Sequence, residues 1–388
     1  MNPRLLILTA GFGEGHNAAA RALAAACDTR HGQGSALLVD AFALASPRLN
    51  ALSRRGYLAM INRTPRLWSA IYAWIDRSKV LPRFLWMLRR ELQVIDEIIQ
   101  RENPAVICST YPVYGFIIDQ LRSDGRCRVP HFNVVTDSIS INSLWWRPAC
   151  DGWFLPNEDS AEVLRRVGIP AARLHVSGFP VTGFFAQHAG QLCAPDPAEG
   201  TAPRVLYIIN SGTQHAETTA RLLFAQTNWE ITCAVGRDET LRHRLMRLAS
   251  GRARPARILG WTDEIPRLLM THHVIVSKAG GATTQEAIAA RCPMIVNQIV
   301  PGQEEGNYEL LRRHGIGALA ETPAAVIQAL HQAFANRGQV WKQWCDRLAT
   351  LARPDAARGI VEHLLGRRDE TLPAETHVPR GVEPVASR

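Results

Sequence analysis

The chain has 388 residues, which suits two ordinary cores better than one. Apolar residues at 46% and charged residues at 20% exclude a disordered or fibrous protein, and eight scattered cysteines without a C-x-x-C speak against a disulfide framework or zinc cluster and for a reducing compartment. A formal net charge of +9 points to an anionic partner, whether nucleic acid, a phosphorylated substrate or an anionic membrane surface.

In chain order, "RLLILTA" reads as a short buried strand, followed by the glycine turn "TAGFGEGH" and an alanine-rich helix beginning near Asn17. Four more strands follow in "ALLVDAF", "PAVICST", "PHFNVVTD" and "GWFLPN". Short apolar runs separated by helices predict parallel strands covered on both faces, so residues 1–185 form one domain. Residues 186–203, rich in Pro, Gly and Ala, read as a linker. The alternation restarts over 204–338 with "RVLYIIN", "WEITCAVG", "ARILGW", "HHVIVSKAGG" and "PMIVNQIV". C-terminal helices are expected over 339–366, packing back on the first domain, and a disordered tail over 367–388. The fold class is therefore α/β, with two Rossmann-like doubly wound units facing a central cleft where ligands collect. No run approaches the roughly 18 apolar residues of a membrane helix, and the first apolar run meets glycine too early for a signal peptide. A cytoplasmic chain without a transmembrane anchor is expected.

Two glycine stretches carry the chemistry. In the first, Gly11, Gly13 and Gly15 allow a tight turn that exposes amides at a helix start, where anions are favoured. The spacing is G-x-G-x-G-H, not the dinucleotide G-x-G-x-x-G, although Asp40 at the end of the second strand is placed where a ribose acid would stand. His16, in the first helical turn, meets the positive end of the dipole. That favours a neutral imidazole suited to general-base work, with a capping or supporting histidine as the alternative. In the second stretch, "SKAGGATTQEAIAARCPMIVNQIVPGQEEGN", Gly280 and Gly281 turn the chain into a helix whose first amides form a diphosphate site. Glu286 then suits ribose hydroxyls, and Gln303, Glu304 and Asn307 suit sugar hydroxyls. A cap followed by a polar loop would need none of this chemistry.

The motifs "GEGHNAAA", "VVTDSISINSLWWRP", "VSGFPV", "SKAGGATTQEA" and "PGQEEGN" appear in family order over most of residues 5–310. In them the chain resembles the monogalactosyldiacylglycerol synthases and processive diacylglycerol glucosyltransferases, and more distantly the peptidoglycan enzyme that adds N-acetylglucosamine to lipid I. The resemblance implies a GT-B glycosyltransferase that moves a hexose from a UDP-sugar to diacylglycerol with inversion, the donor held by the C-terminal domain and the acceptor by the N-terminal one. It implies His16 as the base, Asp137 as a second acid/base or orienting candidate, and an acceptor and phosphate loop with Gly13, Gly15, Asn142 and Trp145. Donor contacts are implied at Ser211, Gly212 and Thr213 of "NSGT", at Trp261 and Thr262, and at Gly280, Gly281, Ala282, Thr283, Glu286, Gln303, Glu304 and Asn307. The first glycine turn is then no dinucleotide fingerprint. Two positions depart from the family: Asn142 and Arg147 stand where histidines are usual, which bears on acceptor identity.

No D-x-D motif or His/Cys/Asp cluster with ligand spacing indicates a metal, and no cofactor is expected beyond the UDP-sugar substrate. Leaving UDP would be held by amides, with Lys278 adding charge. Residues 48–92 hold ten Arg or Lys against two acids, interleaved with Trp68, Tyr72, Trp74 and Trp86. This composition suits docking on an anionic membrane, from which a lipid acceptor must be lifted, at the inner face of the cytoplasmic membrane. It would equally serve phosphates of nucleic acid, but no such binding signature accompanies it and no nucleic acid is expected.

Overall fold

The structure, a computed structural model, describes residues 4–48, 50–53, seven single positions between 56 and 76, 81–209, 215–302 and 304–366. The expected tail over 367–388, and Trp68, Tyr72, Ser211, Gly212, Thr213 and Gln303, lie outside the described residues.

Among the described residues, twelve strands form two six-stranded sheets. The first comprises β1 (Leu5–Leu8), β2 (Ala36–Val39), β3 (Val106–Ser109), β4 (His131–Val134), β5 (Gly152–Leu155) and β6 (Leu174–Val176), in the order β2-β1-β3-β4-β5-β6. The second comprises β7 (Arg204–Ile208), β8 (Glu230–Ala234), β9 (Arg257–Leu259), β10 (Val274–Lys278), β11 (Met294–Gln298) and β12 (Gly317–Leu319), in the order β12-β11-β10-β7-β8-β9. All pairs are parallel. The expected two-unit α/β fold is present. Its ten expected strands form, and β6 and β12 join them as edge strands.

The run "LLIL" shows why the strands are apolar throughout. Leu5 and Ile7 enter the core on one face of the first sheet, while Leu6 and Leu8 enter the core on the other, all four fully buried. Each such side chain contributes about 1.5–3 kcal/mol relative to exposure. One face is covered by α1 (Glu14–His31) through Ala20, Leu23 and Cys27. The other is covered by α2 (Arg89–Glu102) and α3 (Val113–Ser123) through Ile95, Ile99, Ile117 and Leu121.

Behind the second sheet's site-bearing strands lie α4 (Gly281–Ala289) and α5 (Glu305–His314). The helix α6 (Pro323–Leu351) is broken at Ala335–Gly338, where Gly338 packs on Pro197. Last, α7 (Ala356–Gly366) buries Ile360, Val361 and Leu364 against the first sheet and α1. Among the described residues no helix is long and apolar enough to cross a membrane.

In each sheet the strand order reverses once, between β1 and β3 in the first and between β7 and β10 in the second. A crevice opens outside the carboxyl ends of the strands at such points. The "TAGFGEGH" turn leaves β1 and the "AGG" turn leaves β10, so both glycine stretches stand where the topology places a ligand site.

Candidate active site

The first turn is pinned before it reaches the helix. Asp40 accepts from Gly11 N–H at 3.1 Å through Oδ2 and from Ala43 N–H at 3.0 Å through Oδ1. The carboxylate that a dinucleotide reading would give to a ribose is thus engaged in holding the loop. Gly13, at φ 149°, adopts a backbone that L-residues rarely take. The helix α1 begins at Glu14, three residues before Asn17, and carries His16 in its first turn.

His16 Nδ1 lies 2.7 Å from the Thr110 carbonyl oxygen, just past β3, and 2.8 Å from Thr136 Oγ1, just past β4. A carbonyl only accepts, so Nδ1 carries the proton and Nε2 keeps its lone pair. Burial pushes the imidazole pKa down to about 4, against the Thr110 bond. The ring is neutral at physiological pH and its basic nitrogen is defined by its neighbours.

Beside it, Trp145 is fully buried and donates from its indole to Asp137 Oδ2 at 2.7 Å. The Trp145 and His16 ring centroids are 6.2 Å apart. Burial raises Asp137 to about 6, and the Trp145 bond opposes the rise. Asn142 is buried and caps the turn that holds Trp145, accepting from Leu144 N–H at 3.0 Å. Ser143 N–H donates to Asp76 Oδ1, and Arg147 donates to the Asp76 carbonyl, both at 2.6 Å. Asn142 therefore shapes this loop, and Ser143 and Arg147 fasten it to Asp76.

On the C-terminal side, Gly280 is extended and α4 starts at Gly281. The first helical bond runs from Thr284 N–H to Gly280 C=O at 2.9 Å. The amides of Gly281, Ala282 and Thr283 are left directed out of the helix start, a geometry suited to an anion. Asn307 is buried and donates to the Ala279 carbonyl at 2.9 Å, so it braces the glycine turn. Lys278 pairs with Glu304, whose second oxygen accepts from Val300 N–H at 3.0 Å. Burial raises Glu286 to about 7, with Arg21 opposing and Glu14 reinforcing from α1 across the cleft. Trp261 is 69% exposed at the end of β9 with the Arg237 guanidinium 4.7 Å over its ring, and Thr262 Oγ1 accepts from Glu264 N–H at 3.1 Å.

The two sides meet. A Cβ on Gly15 would stand 3.7 Å from Ala282 N, and one on Gly281 would stand 3.5 Å from the Thr136 carbonyl oxygen. Gln285 donates to Ser138 Oγ at 3.0 Å, and Asp159 binds Arg313 at 3.1 Å and His314 at 2.7 Å. His16 and the α4 amides thus line one cleft. Thr110, Gln285 and the Asp159 clamp are bracing contacts that sequence reading did not single out; Thr110 reaches His16 through the first sheet's strand order, and only the domain arrangement brings Gln285 and Asp159 to their partners. Trp74 and Trp86 are exposed at 58% and 67%. Among the described residues no group of three or more His, Cys, Asp or Glu side chains is placed to hold a metal ion.

The model of the monogalactosyldiacylglycerol (MGDG) synthase family matches residues 16–181. Over 382 residues, 97% of this chain and 96% of the relative, the sequence is 22% identical to the processive diacylglycerol beta-glucosyltransferase of Bacillus cytotoxicus. Among solved structures, MurG of Acinetobacter baumannii superposes with a TM-score of 0.59 at 14% identity, covering 94% of this chain and 100% of that one. MnaA of S. aureus with UDP gives 0.60 at 12% identity, covering 97% and 100%. These structures share the fold: two facing Rossmann-like domains. With that fold and the paired glycine turns, the chain has the two-domain GT-B architecture and is similar in sequence to a processive diacylglycerol beta-glucosyltransferase over 97% of its length and to the monogalactosyldiacylglycerol synthase family over residues 16–181.

Proposed function

We propose that the enzyme transfers a hexose from a UDP-sugar to the free hydroxyl of diacylglycerol, with inversion, while docked at the inner face of the cytoplasmic membrane. The observation that carries this reading is the neutral His16, its Nδ1 proton fixed by Thr110, in the cleft that also receives the α4 amides. His16 Nε2 takes the acceptor's proton as its oxygen attacks the anomeric carbon. The new C–O bond forms as the bond from that carbon to the diphosphate oxygen breaks, and the electron pair leaves with UDP. A single displacement from the face opposite the leaving group inverts the centre. The amides of Gly281, Ala282 and Thr283, with the Lys278 ammonium beside them, take up the charge developing on the diphosphate. Exposed Trp74 and Trp86 within a stretch of ten cations and two acids support docking on an anionic leaflet.

The test is UDP release from UDP-glucose and UDP-galactose, with and without diacylglycerol in anionic vesicles. Release that requires diacylglycerol is expected. His16→Ala should lower turnover by about 10²–10⁴-fold, the usual worth of a general base, with UDP affinity kept. Unaltered turnover in that variant refutes the role of His16. Release indifferent to diacylglycerol refutes the acceptor.

A further inference from the structure

Beside His16 stands a wall of aromatic rings to which the transfer chemistry assigns no part. Tyr111, directly after Thr110, meets the His16 ring edge-on with centroids 5.1 Å apart and stacks on Phe12 at 5.9 Å. Phe42 closes the group, 5.8 Å from Phe12 and 6.0 Å from Tyr111, both edge-on. Below them Tyr114 is buried and its hydroxyl is fully engaged, donating to the Thr9 carbonyl at 2.7 Å and accepting from Ala41 N–H at 3.0 Å. Tyr114 is a strut. Phe12, Phe42 and Tyr111 are only partly covered.

The three rings come from the turns after β1, β2 and β3, which lie side by side in the sheet. They form a continuous apolar edge leading away from His16. That edge shares its underlying core with Leu88 and Leu92, next to exposed Trp86 and Met87, and Phe42 shares a helical turn with exposed Leu44. Apolar side chains therefore extend from His16 across the core that also carries Leu88 and Leu92. Among the described residues, the side chains of the wall are aromatic rings with one hydroxyl, that of Tyr111, so a sugar or peptide acceptor would find few partners for its polar groups there.

We propose that Phe12, Phe42 and Tyr111 are the track for the acyl-glycerol body of the acceptor, with Phe12 and Tyr111 setting the enzyme's preference for a lipid that carries one free hydroxyl at its polar end. This rests on the transfer reading above and assigns the acceptor's route to named side chains.

Purified full-length Phe12→Ala, Tyr111→Ala and Tyr111→Phe are compared with the parent enzyme for diacylglycerol in anionic vesicles, reading KM, kcat and UDP affinity separately. Phe12→Ala and Tyr111→Ala should each raise KM for diacylglycerol about tenfold, the equivalent of one good aromatic contact, with kcat and UDP affinity kept. Tyr111→Phe should restore the KM for diacylglycerol lost in Tyr111→Ala, because the ring face and not the hydroxyl is used. Unchanged KM in both alanine variants overturns the track, as does a loss of UDP affinity in step with KM, which marks general damage. Should the alanine variants not fold, the unaltered enzyme decides. A diacylglycerol with a photoreactive acyl chain should label peptides containing Phe12, Phe42 or Tyr111, and labelling confined to other peptides overturns the proposal. If the unaltered enzyme moves no sugar to diacylglycerol at all, the transfer reading fails instead.

Discussion

Gly306→Ala tests whether the observed closeness of the domains is the reacting arrangement. A Cβ at this position would overlap the Ser138 carbonyl oxygen and stand 2.6 Å from Ser140 N, both in the loop of the opposing domain. Atoms of this kind rest at about 3.5–4.0 Å, so the loop and α5 must part by roughly 1 Å or more. The contacts are backbone atoms, and no rotamer change relieves them. The neighbouring Ile139 holds φ 58°, a costly conformation for a β-branched residue, and it packs into the C-terminal core, so the loop has little room to yield. Within α5 the substitution favours the helix by about 0.5–1 kcal/mol, which protects the fold of the domain itself. A misplacement of about 1 Å between reacting groups is able to cost 10²-fold in rate. The expected result is a kcat lowered by about 10²-fold, UDP affinity within twofold, an unaltered melting temperature and a larger radius of gyration in solution scattering. A variant with the parental kcat and parental radius would refute the reasoning, because the two domains would then accommodate the methyl group without parting.

Asp137→Asn separates stability from activity. The folded chain holds the Asp137 proton up to about pH 6, whereas the unfolded chain releases it near the ordinary value of 3.8. The folded state binds more protons in that window, so stability falls as pH rises from 4 to 6, by about 2–3 kcal/mol in all. The amide keeps an acceptor for the Trp145 indole, and the variant should therefore unfold at a higher temperature than the parent at pH 7.5 but not at pH 4; equal melting at both pH values counts against burial as the cause. In the free enzyme, the His16 imidazole signals in NMR should titrate near pH 4, and a midpoint near 6.5 would show that the ring is solvated. In the proposed site, amides and Lys278 carry the diphosphate charge, so a chelator should leave UDP release unchanged, and activity lost to chelation and restored by magnesium would oppose that assignment. Replacing Trp74 and Trp86 together by Ala should weaken binding to anionic vesicles at low salt while leaving UDP affinity intact; unaltered vesicle binding places the docking surface elsewhere.

The central strands were legible because they are buried on both sides. A run such as "LLIL" or "VICS" has no solvent face, and four or five consecutive apolar residues bounded by glycine or proline have few other uses. The edge strands β6 and β12 escaped for the converse reason. Each has three residues, half exposed, and neither sequence shows a continuous run. The helix starts were misplaced only by a few residues, since glycine reads as turn until a structure shows which glycine serves as the cap. The site followed the same division. His16 and the glycine turns were visible because their residue types are costly to place by chance at a helix start. What the sequence left open was how the individual polar groups are occupied: Asp40 in pinning the loop, Glu304 in pairing with Lys278, Asn307 in bracing Ala279. Partner choice depends on chains tens to hundreds of residues away, and no local pattern records it.

The division of labour between the domains has a chemical consequence. In the proposed mechanism the base belongs to α1 and the leaving-group site to α4, on opposite walls of one cleft. A donor bound to the C-terminal domain alone has no base beside it, so water gains no help in cleaving it until the domains meet. When they do, the low pKa of His16 changes its meaning. Burial disfavours the imidazolium in the empty cleft, but a diphosphate held across from the ring supplies the negative charge that the imidazolium lacks. Proton transfer from the acceptor and charge development on UDP are then mutually favourable: the proton arriving on His16 is stabilised by the anion forming opposite it. On that proposal, the same burial that makes His16 a weak base alone makes it a base only in the loaded, closed enzyme, and sugar transfer should be confined to the moment when donor, acceptor and both domains are together.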